Sequence, residues 1–429
     1  MSVEQIMAIL IFGAMFVIIA IGKYHRAWVA LGGAALTAIL IFHIEPIKIY
    51  RAVNWQTIIF IFGMMVMVEG LTISGFFRWV CLLVAKTVRY NIAVLFVTFF
   101  FLSGFLAMFI DSITVLLFMS SVTIEIARNL KINPIPFIIS EIAAANTGGS
   151  ATMCGDPPNI IIATSFNFGF LDFIMNTGPI AWIVMLVLLG YFFLVYHKYF
   201  RSTSTSAEVR KNCPQPVEAI QNPRLFIMQS AVFLIVVILL TTHQINHLSV
   251  ATIGIIATVL TIISCAISSV YRSIGSLLTR IDWKTLLFFL GLFITVGGLE
   301  QSGVLKLLAN QIITTSNGNV VVVISMILWI SGFASAIVDN IPFAAIMVPV
   351  LRELSIHGLS LSTMSWALAL GADIGGNATP IGASANVVGI AIAEKEGYPI
   401  SWGRFCKVSV PGMILSVAVC WLLLIVRYT

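Results

Sequence analysis

The sequence predicts an all-α polytopic membrane protein made of two inverted-topology repeats, with about ten transmembrane helices, two re-entrant hairpins and two interrupted helices. Three observations carry this. The 429 residues are 59% apolar and only 9% charged, whereas soluble domains carry about 25% charged side chains. The chain repeats its own polar and glycine positions at one offset. Two matching segments also hold too much glycine, proline and amide to form continuous lipid-facing helix.

The duplication is visible residue by residue. Trp55-Gln-Thr-Ile-Ile-Phe-Ile-Phe-Gly63 recurs as Trp283-Lys-Thr-Leu-Leu-Phe-Phe-Leu-Gly291, an offset of 228 that also carries Gly70, Ser74 and Gly75 onto Gly298, Ser302 and Gly303. The same offset places Asp111-Ser-Ile-Thr on Asp339-Asn-Ile-Pro, and an offset of 227 places Asn146-Thr-Gly-Gly-Ser-Ala-Thr152 on Asp373-Ile-Gly-Gly-Asn-Ala-Thr379 and Asn159 on Asn386. Shared leucines and phenylalanines arise by chance between apolar helices; a hundred residues of shared polar spacing do not. The repeats are assigned to 1–197 and 225–429, joined by a polar, Ser/Thr/Pro-rich linker over 198–224 that reads as cytoplasmic.

Each copy opens with three spans, near 5–22, 27–43 and 56–73, then near 228–242, 250–268 and 285–300, apolar runs close to the roughly 20 residues a crossing needs. An amphipathic segment follows, Phe76 to Arg89 and Val304 to Thr315. Next an apolar arm, 92–110 and 319–338, meets an aspartate and returns as 112–128 and 340–354, which predicts a re-entrant hairpin. An interrupted helix, 135–165 and 362–393, and a final span, 178–197 and 409–427, close each copy. Each copy then crosses five times, so the second is inverted and both termini lie outside. With the linker inside, the inner face collects 18 of the 23 Lys and Arg residues, Lys23 and Arg26 among them, and the outer face only Lys48, Arg51, Lys306, Arg352 and Arg427. That asymmetry obeys the positive-inside rule.

Several classes of function are excluded. The net charge of +6 is spread singly between apolar runs, which places it at membrane flanks and not on nucleic acid. The six cysteines show no CxxC or CxxH spacing, the histidines fall in loops or at helix ends, and no GxxxxGK[ST] loop occurs, so disulfides, a resident metal and ATP hydrolysis are not expected. Residues 1–5 lack the basic start of a cleaved leader. No nucleophile, histidine and acid fall in a catalytic order, and no cofactor is expected.

The breaks themselves point to a site. Irregular backbone at membrane depth is tolerated only where protein buries it or it lines an aqueous cavity, and paired broken helices in inverted repeats mark a transporter's substrate site. Half-helix ends supply N–H groups or carbonyls there. Asp111 and Asp339 at the hairpin tips and Asp373 in a break are expected to exchange protons, because an ionised carboxylate at membrane depth costs at least about 2.5–3.5 kcal/mol. The competing role for the tip aspartates is helix capping. Ser112, Asn146, Thr147, Gly148, Gly149, Thr152, Asn340, Gly375, Gly376, Asn377 and Thr379 are expected to line the substrate site, with Asp156, Asn159, Asn386 and the thiol of Cys154 as further candidates. Glu69, Glu141 and Glu300 are placed near helix ends, as structural groups. Neither break contains a Lys or Arg.

At Asp111, Asp339-Asn-Ile-Pro and Gly155-Asp-Pro-Pro-Asn-Ile-Ile161 the chain resembles the ion transporter superfamily, and within it the arsenite/antimonite efflux permeases and the pink-eyed dilution (P) protein group. The resemblance runs the whole length. It implies exchange of As(III) or Sb(III) for protons across the cell membrane, in some members with a separate soluble ATPase as partner. The superfamily's sodium-coupled dicarboxylate and citrate carriers resemble this architecture but carry Ser-Asn-Thr at each tip; the aspartates here would repel a dicarboxylate. Sodium-coupled import of an organic anion is the alternative, and it calls for a fixed positive partner near the site. An anion channel like the P protein is a further alternative.

Overall fold

The computed structural model describes residues 1–202, 214–268 and 277–429. Arg210, Lys211 and Arg272 of the charge count, Cys213, and the centre of the linker lie outside the described residues. The first repeat contains α1 (Val3–Ile21), α2 (Arg26–Leu40), the short α3 (Pro46–Ala52), α4 (Trp55–Ser74), α5 (Phe76–Thr87), α6 (Ile92–Ala107), α7 (Ser112–Leu130), α8 (Ile135–Gly149), α9 (Pro157–Phe166) and α10 (Phe170–Val195). After α11 (His197–Ser202) the second repeat follows as α12 (Pro223–Thr242), α13 (Val250–Ile267), α14 (Trp283–Gln301), α15 (Val304–Ser316), α16 (Val320–Ile337), α17 (Asn340–Ile356), α18 (Leu361–Gly375), α19 (Ser384–Lys395) and α20 (Trp402–Tyr428). Eight of these helices are long and apolar enough to cross a bilayer, and α1, α2 and α6 are apolar but shorter. The chain is a multi-pass membrane protein.

Helix starts are written in duplicate. Asn54 and Asp282 cap α4 and α14 by accepting the N–H of Thr57 and Thr285, and Asn91 and Asn319 cap α6 and α16. Gly75 and Gly303, at φ 79° and 78°, turn the chain between span and amphipathic helix, a left-handed conformation glycine adopts without steric cost. The final spans depart from expectation. Both begin earlier, at Phe170 and Trp402, and carry Pro179 and Pro411 inside the helix. Sequence reasoning takes such a proline for a first-turn residue, but packed neighbours in a membrane bundle satisfy the carbonyl it frees.

The repeats interlock. The second span of each lies on the third span of the other, α2 on α14 and α13 on α4. A β-carbon on Gly63 would fall 2.1 Å from Gly254 O, and one on Gly291 2.6 Å from the carbonyl carbon of Ala30. The hairpin arms pack within their own repeat, α6 on α8 and α16 on α18, through Gly104–Gly148 and Gly332–Gly375. The second half of each interrupted helix crosses again, α9 onto α17 and α19 onto α7. The two hairpins and two broken helices thereby meet in one place.

Candidate transport site

Both tip aspartates cap the returning arm of their hairpin. Asp111 accepts from Thr114 N at 3.0 Å and Thr114 Oγ1 at 2.8 Å, and Asp339 from Ile341 N at 3.3 Å. Only Asp339 also meets a cation among the described residues. Arg26 Nη1, from the start of α2, donates to Asp339 Oδ2 at 2.8 Å and to Ser384 Oγ at 2.6 Å, while its Nη2 donates to Thr285 Oγ1 at 3.1 Å.

In the breaks, each helix stops where glycine permits close backbone approach, and it resumes at Pro157 and Ser384 without a side-chain cap. A β-carbon on Gly155 would lie 2.3 Å from Gly149 O, and one on Gly382 2.6 Å from Gly376 O. One asparagine then holds each gap closed. Asn159 Nδ2 donates to Gly149 O (2.9 Å) and Thr152 O (3.1 Å), and Asn386 Nδ2 donates to Gly376 O and Thr379 O (both 2.7 Å). The threonines anchor the breaks to the hairpins, Thr152 Oγ1 donating to Met108 O and Thr379 Oγ1 to Ala336 O at 2.6 Å.

The two breaks bond to each other across the middle. Asn146 Nδ2 donates to Asn377 Oδ1 (2.8 Å) and Asn386 Oδ1 (2.9 Å), Asn377 Nδ2 to Thr147 Oγ1 (3.4 Å), and Asn159 Nδ2 to Asp373 Oδ2 (2.9 Å). Each hairpin tip then reaches a break aspartate. Ser112 donates to Asp156 Oδ1 through N (3.3 Å) and Oγ (2.6 Å), and Asn340 Nδ2 donates to Asp373 Oδ1 at 3.2 Å. Asp156 does not cap its own helix. It lies within electrostatic reach of Asp111, Asp339 and Asp373. Three buried acceptors at this crossing, Asn146 Oδ1, Asn159 Oδ1 and Asp156 Oδ2, have no donor among the described residues.

Two cavities related by the repeat symmetry approach the crossing from opposite faces. The one on the linker side, about 300 Å³, is bounded by Arg26, Glu69, Asp111, Cys154, Asp282 and Thr285, and reaches the first hairpin tip. The one on the opposite side, about 450 Å³, holds Arg51, Asn54, Glu300 and Arg352 and stops at Ile161 and Ala345, short of both tips. In its wall Asn54 Nδ2 donates to Thr164 Oγ1 (2.9 Å), and Thr57 Oγ1 lies 2.7 Å from the same oxygen. These bonds tie α4 to α9.

Sequence-expected residues thus divide into two groups. Asp111 and Cys154 face the linker-side cavity, whereas Asn146, Thr147, Gly148, Gly149, Thr152, Gly375, Gly376 and Asn377 are buried in the crossing itself. Glu141 departs from its expected place near a helix end. It sits midway along α8 with no exposure, accepting from Thr123 Oγ1 at 2.6 Å, because α8 runs inward from Ile135. Glu69 bonds Arg280 at 3.3 Å, and Glu300 lies 3.8 Å from Arg352. Arg26 was missed: its place at the start of a span made it one interfacial charge among many, and its partner Asp339 is 313 residues away.

Comparison with known proteins identifies the family and the fold. An uncharacterized transporter of Mycobacterium tuberculosis is 34% identical over 432 residues, 99% of each chain, and a 46 kDa membrane protein of Mycobacterium leprae is 33% identical over 99% of each. The human P protein is 27% identical over 96% of this chain and 59% of its own length. The crystal structure of the Alcanivorax borkumensis YdaH transporter shares the fold, with TM-score 0.59 over 86% of this chain and 84% of that one at 15% identity. The profile of the citrate transporter (CitMHS) family matches residues 16–371. With that match spanning most of its length, the chain belongs to the CitMHS citrate transporter family of membrane transporters.

Proposed function

We propose that this transporter exports trivalent arsenic and antimony, as As(OH)3 or Sb(OH)3, in exchange for inward protons by alternating access, with the linker side cytoplasmic. The observation that carries the reading is the surplus of acceptors at the crossing: Asn146 Oδ1, Asn159 Oδ1 and Asp156 Oδ2 are buried without donors. A buried acceptor left unpaired costs about 1–3 kcal/mol. A neutral triol brings three O–H donors, and a dicarboxylate brings acceptors only. Charge balance supports proton exchange, since Arg26 is the one cation bonded to Asp111, Asp156, Asp339 or Asp373 among the described residues, and unmatched carboxylates in a low-dielectric site call for protons or another cation. Cys154 in the cavity wall adds a soft ligand suited to a thiophilic solute. The linker-side cavity gives the solute its approach, and moving hairpins and broken helices against α2, α4, α13 and α14 would transfer it to the opposite vestibule.

Inverted vesicles containing the protein should accumulate arsenite when a proton gradient is imposed, and Asp156→Asn and Asp339→Asn should lower that flux at least tenfold. Flux in both variants equal to the parent's would remove the proton role. A second reading is favoured by Arg26 in the cavity together with the family profile: an organic anion could take the guanidinium once Asp339 is neutral. Ion-driven citrate uptake with no response to arsenite would establish that reading instead.

A further inference from the structure

The guanidinium of Arg26 is bonded to three separate parts of the molecule. Its own helix, α2, is clamped to α14 through the Gly291–Ala30 contact, and Thr285 and the ring of Phe288, 5.1 Å away, also belong to α14. Asp339 is the tip of the second hairpin, and Ser384 opens the second half of the second broken helix. Ser384 Oγ in turn donates to Asp339 Oδ2 at 2.6 Å. Arg26 therefore fastens the interlocked spans to both elements of the second repeat that form the crossing.

The carboxylate of Asp339 accepts Ile341 N on Oδ1 and Arg26 and Ser384 on Oδ2. A proton on this carboxyl removes the charge that makes the Arg26 bond a strong one. Other charged and titratable groups around this point are Asp156, Asp373, Asp111, Asp282, Glu69 and Arg280, and Arg26 alone among the described residues is bonded to Asp339 as a cation. The device is one-sided. Thr37 and Thr261 fill equivalent positions against Gly298 and Gly70, and their offset of 224 carries Arg26 onto Val250, so Asp111 has no matching arginine.

We propose that Arg26 is a positioning residue that latches the transporter: ionised Asp339 and Ser384 are held against α2 and α14 in the state open to the linker side, and a proton on Asp339 frees them to move. The inference rests on the proton-exchange reading above, but not on the identity of the solute. Its test is a cysteine-free protein carrying Ala345→Cys, a buried position at the floor of the opposite vestibule, reacted with a bulky maleimide in detergent. The parent should label slowly, and Arg26→Gln and Asp339→Asn, the second a mimic of the protonated acid, several-fold faster at the same pH. Arg26→Lys, which keeps the charge, should fall between them. Labelling of Arg26→Gln as slow as the parent's would overturn the latch; should that variant fail to fold, the same result in Asp339→Asn would do so. Absence of arsenite flux with the labelling pattern intact would remove the substrate reading and leave the latch standing.

Discussion

Asn159 and Asn386 hold equivalent places, yet their side chains are used differently, and the cause is one residue. Position 146 is an asparagine whose amide donates to Asn386 Oδ1, and its counterpart at 373 is an aspartate that accepts from Asn159 Nδ2. Asn159 Oδ1 is left without a donor while Asn386 Oδ1 has one. Asn159→Ala strips the side-chain donor from Gly149 O, Thr152 O and Asp373 Oδ2, at about 1–3 kcal/mol for each buried group left unpaired. A lowered melting temperature in detergent and a flux loss of tenfold or more are expected, read by thermal shift and vesicle transport. Asn386→Ala should be as damaging, since it opens the mirror gap. The amides and aspartates of the breaks were legible in the sequence because the duplication exposes them twice. Arg26 was not, since it has no counterpart and its contact is set by how helices cross.

Helices meet here along glycine seams, and the seams set which elements stay together. Gly148→Ala would place a methyl 2.1 Å from Gly104 O, backbone that has no free rotation with which to yield. A loss of folded protein corresponding to at least about 1–3 kcal/mol is expected, measured as monodisperse yield. Gly190→Ala in α10 meets nothing within 4 Å and should match or slightly exceed the parent, because alanine favours helix by about 1 kcal/mol. At this scale the sequence was informative: apolar length, amphipathic spacing and break chemistry located nearly every helix. The early starts of α10 and α20 were hidden because proline obeys different rules in a packed membrane bundle, and α3 (Pro46–Ala52) is too short to show a period.

Across the whole molecule the repeats share their helix packing but not their openings. One cavity reaches the first hairpin tip, and the other stops short of both, with Asn54 and Thr164 bonded in its wall. Exchange between such a state and its mirror is what alternating access requires. Thr57→Cys with Thr164→Cys, at positions whose hydroxyl oxygens are 2.7 Å apart, should form a disulfide on oxidation and halt transport, with reductant restoring it. Undiminished flux in the oxidised, cross-linked protein would show that α4 and α9 do not separate during the cycle.

The exchange of second and third spans between repeats also bears on how the chain is made. Within each repeat the second and third spans take their main partners from the other repeat, α2 from α14 and α4 from α13. Expressed as two polypeptides divided within the linker, each half should be degraded when alone and accumulate when both are produced together. A single copy of this design would complete these seams by pairing about a two-fold axis with a second molecule inserted the opposite way up.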